Sequence, residues 1–214
     1  AASEAYPFAM SGGLADVAGS LPQALRKRLI GCSVVMPLYG QVKEEYRKEM
    51  KEEKVYTVRL AWREQYCRIM SLKKDGVIYY FIDNEYYFKR SGCYGFYDDG
   101  ERFAFFSRAV MEILPFINFY PDVLHCHDWQ AALAAIYLKT IYCKRPEYQF
   151  IRALFTIHNI EYQGKYSLDI LEDLFGKELK PWLEEEKTEM EQSDSEQTDD
   201  GKDELLLDTN IKLV

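Results

Sequence analysis

The 214-residue chain is 48% hydrophobic and 29% charged, enough apolar material for the core of one large domain. Its net charge of −8 belongs to one end: residues 177–204 hold twelve acids and four bases, whereas residues 1–176 balance 22 of each. A neutral body argues against a basic footprint for nucleic acid, no apolar run approaches the roughly 20 residues of a membrane span, and five scattered cysteines without a C-x-x-C pair argue against a disulfide framework or structural zinc.

In chain order, Leu14, Val17, Ala18, Leu21 and Leu25 recur at helical spacing after Gly12 and Gly13, with Arg26, Lys27 and Arg28 at the end where cations suit the helix dipole. Pro22 is expected to kink or restart this helix, with Ser20 as the new cap. "CSVVMPLY" reads as a short strand, and "QVKEEYRKEMKEEK" as a charged helix or loop. From Val55 to Phe88 the pattern alternates, and "KKDG" supplies hairpin turn chemistry between two of the runs. "ERFAFFSRAVMEILPFI" returns to helical period, "DVLHCHD" reads as a buried strand, "WQAALAAIYLKTIY" as a helix and "FIRALFTIHN" as a second buried strand. Strands alternating with helices imply an α/β fold with parallel pairing. Residues 1–176 form the expected domain, and 177–214 an acidic tail expected to be disordered or loosely helical. Only "AASEAYPFA" precedes the "MSGG" stretch, so most of a first strand is expected to be missing. No basic-then-apolar leader opens the chain, and a cytoplasmic location is the expectation.

Three stretches carry chemistry. In "MSGGLADV", Gly12 and Gly13 would let backbone N–H groups close on phosphate oxygens at a helix N-terminus; a turn or cap needing positive φ is the alternative. Asp16 is either a ligand or a surface acid favoured by the dipole. In "DVLHCHDW", His125 and His127 share one side of a strand, and Asp128 and Trp129 emerge at its end, where ligands of parallel sheets gather. An acid beside an indole suits a sugar, its hydroxyls on the carboxylate and its C–H face on the ring. In "FTIHNIEYQG", His158 and Asn159 end a second strand at the same edge; a satisfied core histidine is the alternative for His158. The tyrosine- and glycine-rich "YYFKRSGCYGFYDDGERFAFF" reads either as a binding loop or as a surface connection.

Taken together, "SEAYPFAMSGGLADVAGSLPQAL", "VVMPLYG", "FIDNEYYFKRSGCYGFYDDGERFAFFSRAV", "DVLHCHDWQAAL" and "FTIHNIEYQGKY" resemble the bacterial glycogen synthases and plant starch synthases over roughly residues 1–175. The resemblance implies a GT-B glycosyltransferase fold of two facing Rossmann-like domains, of which this chain supplies the N-terminal half: a parallel sheet with flanking helices and a β-hairpin insertion. It implies a retaining transfer of glucose from ADP-glucose or UDP-glucose to the non-reducing end of an α-1,4-glucan, with no cofactor and no metal. It assigns Ser11, Gly12, Gly13 and Asp16 to the nucleotide-sugar, His158 and Asp128 to the reacting centre, and Trp129, Asn159 and Tyr94 to the acceptor. The family usually has lysine where this chain has Met10, so a phosphate-facing charge is lost. The expected partners are the nucleotide-sugar donor and the glucan, with neither nucleic acid nor membrane, and the isolated chain is expected to lack synthase activity. Two rival readings are a non-catalytic glucan-binding module and a metal-dependent hydrolase built on His125, His127, Asp128 and His158.

Overall fold

The computed structural model describes residues 1–179 and residue 181. The acidic tail expected beyond residue 176 lies almost wholly outside the described residues.

Helix α1 (Gly13–Lys27) buries Leu14, Ala15, Ala18 and Pro22. It runs unbroken through Pro22, contrary to the expected restart, and the Ser20 hydroxyl bonds back to the Asp16 carbonyl at 2.7 Å instead of capping a new helix. Strand β1 (Ser33–Pro37) is followed by the short exposed helix α2 (Glu44–Glu49). The second part of the charged segment departs from expectation: Lys51–Leu60 is strand β2, because pairing with β3 (Arg63–Lys74) overrides its helix-favouring composition. Its exposed Lys and Glu side chains blunt the edge of the sheet. Asp75 and Gly76 both take positive φ, 51° and 80°, the turn that "KKDG" predicts, and lead into β4 (Val77–Asp83). The four strands lie in the order β1-β4-β3-β2, with β4 parallel to β1 and antiparallel to β3. The sheet is therefore mixed, the β2–β3 hairpin being the expected insertion.

The tyrosine-rich connection is less superficial than its composition suggests. Asn84 caps the short helix α3 (Glu85–Phe88) by accepting from the Tyr87 N–H at 3.0 Å, and Tyr87 and Phe88 are fully buried. Helix α4 (Asp99–Phe116) is buried over most of its circumference, as a central helix must be, and packs on α5 and β2. Strand β5 (Val123–His127), helix α5 (Trp129–Thr140) and strand β6 (Arg152–Thr156) form one right-sized βαβ unit with β5 and β6 parallel, His127 beside Thr156. Helix α6 (Leu168–Phe175) is tied to the hairpin by the Arg63–Asp173 ion pair at 2.5 Å and the Trp62 indole N–H to Asp173 at 3.0 Å.

Ala1 and Ala2 lie between the two sheets. The Ala2 N–H donates to Val35 O at 3.1 Å on the β1 side, and Ala1 O accepts from the His127 N–H at 3.1 Å on the β5 side. The bond that would complete the pairing with β1 has no donor, because that position is Pro37. These contacts align β1 and β5 so that the C-terminal tips of both point to one edge.

Candidate functional site

That edge opens into a cavity of about 1410 Å³, lined by the start of α1, the tips of β5 and β6 and the loops after α3 and β6. Asp128 follows β5 with φ 55° and ψ 174°, a strained conformation outside the αL well and otherwise almost confined to glycine. Its N–H donates to Thr156 O at 2.9 Å, and its Oδ1 accepts from the His158 backbone N–H at 2.6 Å. One residue thus stitches both strand tips together and lines the cavity.

The three histidines of the chain form one column. His125 Nε2 meets Thr156 Oγ1 at 2.7 Å, the His125 and His127 rings lie 4.0 Å apart, and His127 Nδ1 meets His158 Nε2 at 2.9 Å. His127 is buried, whereas His158 lines the cavity. Burial, with the neighbouring imidazoles, pushes His127 down to about 2 and His125 to about 4, so both rings are neutral. Facing nitrogens committed to each other do not converge on one ion, and the described residues hold no group of three or more metal-ligating side chains, which removes the geometry the metal-hydrolase reading needs.

At the opposite wall, Gly12 is the N-cap of α1 with an extended backbone (φ −159°), and neither it nor Gly13 takes positive φ. A Cβ at Gly13 would meet nothing within 4 Å, and one at Gly12 would reach only Glu4 Oε1 at 4.0 Å. The fold therefore does not require glycine at either position, and the turn alternative fails. What the glycines leave is an uncapped helix N-terminus facing the cavity.

Glu4 shapes this wall. It is buried, and its Oε2 accepts from the Ser11 N–H at 2.5 Å and the Ser11 hydroxyl at 2.8 Å. Burial raises its pKa against the lowering pull of those bonds. The third wall hangs on Arg102, fully buried in α4: its Nε donates to Tyr87 O at 2.7 Å, its Nη1 donates to Cys93 O at 3.2 Å and pairs with Asp99, while Asp99 Oδ2 accepts from the Gly95 N–H at 2.7 Å. These bonds deliver Tyr94, whose hydroxyl meets Ser3 Oγ at 2.6 Å. Trp129 packs edge-on to Phe103 and beneath Gly164, where a Cβ would lie 2.3 Å from the indole.

Of the residues expected from sequence, Ser11, Gly12, Gly13, Tyr94, Asp128, Trp129, His158 and Asn159 line this single cavity; Asp16 is exposed on the first turn of α1 and is not among the lining residues, and Met10 is 62% exposed beside Ser11. Sequence reading misses Glu4, Asp99, Gln130, Glu161 and Lys165, which also line it. For Glu4 there was a signal, a lone acid in a stretch of small and apolar residues; Asp99 lay in the stretch read either as a binding loop or as a surface connection and opens α4 instead, and Gln130 sat inside a segment read only as a helix.

A sequence model described as the starch synthase catalytic domain matches residues 1–199. The chain is 53% identical over 174 residues to a glycogen synthase of Geobacillus thermodenitrificans, covering 81% of this chain and 36% of that protein. To the glycogen synthase of Bacillus subtilis it is 49% identical over 179 residues, covering 84% and 37%. Among solved structures it is similar to the catalytic domain of starch synthase IV from Arabidopsis thaliana bound to ADP and acarbose, with a TM-score of 0.75, 31% identity, and coverage of 81% of this chain and 36% of that one. The chain thus spans little more than a third of the length of these relatives.

Proposed function

The chain belongs to the starch synthase catalytic-domain family, and on that premise we propose that it is the acceptor-facing half of a glucosyltransferase that extends an α-1,4-glucan from ADP-glucose or UDP-glucose. The observation that carries the reading is the glycine pair. It serves no steric or torsional need of the fold, yet it bares the N-terminus of α1 to the same cavity that receives Asp128 and His158. A diphosphate fits such a terminus because unpaired N–H groups and the dipole both favour negative charge.

In the complete protein the acceptor hydroxyl attacks the anomeric carbon from the face the diphosphate leaves. The bond to the phosphate oxygen breaks as the new glycosidic bond forms, and the hydroxyl proton passes to the departing phosphate. Charge then develops on the sugar and the phosphate, where fixed dipoles act most strongly. Asp128 and Asn159 orient sugar hydroxyls, Trp129 and Tyr94 offer apolar faces, and His158 positions the donor glucose. This chain alone binds nucleotide and glucan but does not turn them over.

Calorimetric titration with ADP tests the reading. Gly13→Val, which the open space around Gly13 accommodates, is expected to leave thermal stability within about 1 kcal/mol and to abolish ADP binding. Unchanged affinity in a folded Gly13→Val protein would refute a phosphate site at α1. Turnover of ADP-glucose and glycogen by the isolated chain would refute the division of labour.

A further inference from the structure

His127 is 6% exposed and is not among the residues lining the cavity, so its imidazole does not touch a ligand there. A buried imidazole costs desolvation unless its nitrogens are bonded, and an apolar ring would fill the space without that cost. Its polar contact is with His158, Nδ1 to Nε2 at 2.9 Å, the two ring planes inclined at 26° with centroids 5.2 Å apart. On the other side His125 packs against it at 4.0 Å and is itself held by Thr156 Oγ1 at 2.7 Å, which limits reorientation of the middle ring.

We propose that His127 is a positioning residue that locks His158 in a single tautomer and leaves Nδ1 as the nitrogen His158 offers to the cavity. Only one proton fits between the two facing nitrogens. If His127 donates, His158 carries its own proton on Nδ1 and offers a donor. If His158 donates, it offers a bare acceptor. Either way the exchange between tautomers of a free imidazole is suppressed, and a sugar oxygen meets one defined partner. The backbone is fixed separately, by the His158 N–H on Asp128, so ring and main chain are each held by a different neighbour. What the nitrogen meets rests on the glucosyltransferase reading, whereas the lock itself does not.

The chain has three histidines, so ring-nitrogen NMR on histidine-labelled protein resolves the column directly. The expected spectrum shows two well-separated, non-exchanging ring nitrogens for His158 and a scalar coupling across the N···N bond to His127 Nδ1. His127→Phe keeps the ring volume and removes the nitrogen; the coupling is lost and the two His158 nitrogens average. His127→Asn, which places an amide atom where Nδ1 sits, restores separated signals. Averaged His158 nitrogens or a missing coupling in the unmodified protein would overturn the proposal without any variant having to fold, and so would a His158 pattern unmoved by His127→Phe. Titration with ADP-glucose adds an independent arm: a saturable change at the His158 ring supports the proposed function, and none with the lock intact overturns that function alone.

Discussion

β3 runs for twelve residues and lines no part of the cavity, whereas β5 runs for five and ends at the residues that stitch its floor. The hairpin block of β2, β3 and β4 is antiparallel and closed by local turns, and buries Val58, Leu60, Cys67, Ile69, Phe81 and Ile82. The β5–β6 pair is parallel, joined through a helix, and half-exposed along β6. Burial holds the first region, and a few polar bonds across sequence separations of about 30 residues hold the tips of the second. Stability and site geometry are therefore separable, and substitutions in the two regions should fail in different ways.

The largest expected effect is on the hairpin. Ile69→Ala removes a fully buried side chain facing the core and should cost about 2–5 kcal/mol by chemical denaturation, while the protein that remains folded binds ADP as before. A lowered affinity in that folded fraction would break the separation. Gly164→Ala is the counterpart at the site. The new methyl group would sit 2.3 Å from the rigid Trp129 indole on a backbone at φ 65°, so about 2–4 kcal/mol of local strain is expected. The loop after β6 is exposed and can yield, so global unfolding should move less than the Trp129 fluorescence and the affinity for a maltooligosaccharide.

How far each region could be read in advance follows the same division. The hairpin was legible because alternation and the Asp75–Gly76 turn are local signals. The reach of β2 back to Lys51 was not, since nothing within "MKEEK" favours a strand until β3 lies beside it. At the site, Asp128, Trp129, His158 and Asn159 were legible because parallel strands present their tips to ligands. The histidine column was not: His127 meets His158 across 31 residues, and no local pattern says which of two alternating histidines turns inward. Tyr87 and Phe88 were hidden likewise, their burial depending on Arg102 from α4 drawing the connection inward.

Acid should separate the two regions next, because all three histidines lie at the β5 and β6 tips and none in the hairpin block. His127 is neutral in the fold and takes a proton in the unfolded chain near pH 6.5, so its contribution is complete above that pH and is lost as pH falls toward its native value of about 2. Stability should decline by about 1.4 kcal/mol per pH unit below roughly pH 6.5 for this ring, with a smaller share from the half-buried His125. Glu4 works in the opposite direction, since its raised pKa favours the protonated fold as pH falls toward the carboxylate range. His127→Gln should flatten the slope and Ile69→Ala should not, as denaturation midpoints at pH 7 and pH 5 would show. Equal slopes in both variants would place the acid sensitivity elsewhere.

The smallest effect concerns charge at the cavity itself. Among the described residues its lining includes four carboxylates, Glu4, Asp99, Asp128 and Glu161, against the single ammonium of Lys165. Asp99 is paired with Arg102 and Glu4 accepts from Ser11, but a diphosphate bound as proposed would still meet a site short of cations. The helix terminus supplies about half a charge, and Lys165 is the side chain able to add a whole one. Met10 is exposed beside the cavity-lining Ser11, and a lysine there is expected to reach the same phosphates. Met10→Lys should therefore tighten ADP binding by about three- to tenfold at low salt, Lys165→Ala should weaken it by a similar factor, and both effects should shrink as salt rises, as for exposed charges generally. Tightening by Met10→Lys that persists in the Lys165→Ala background would show the two ammoniums acting on the phosphate independently. An affinity indifferent to position 10 would leave the terminus of α1 and Lys165 to hold the anion, and the site would then depend more on backbone dipoles than on side-chain charge.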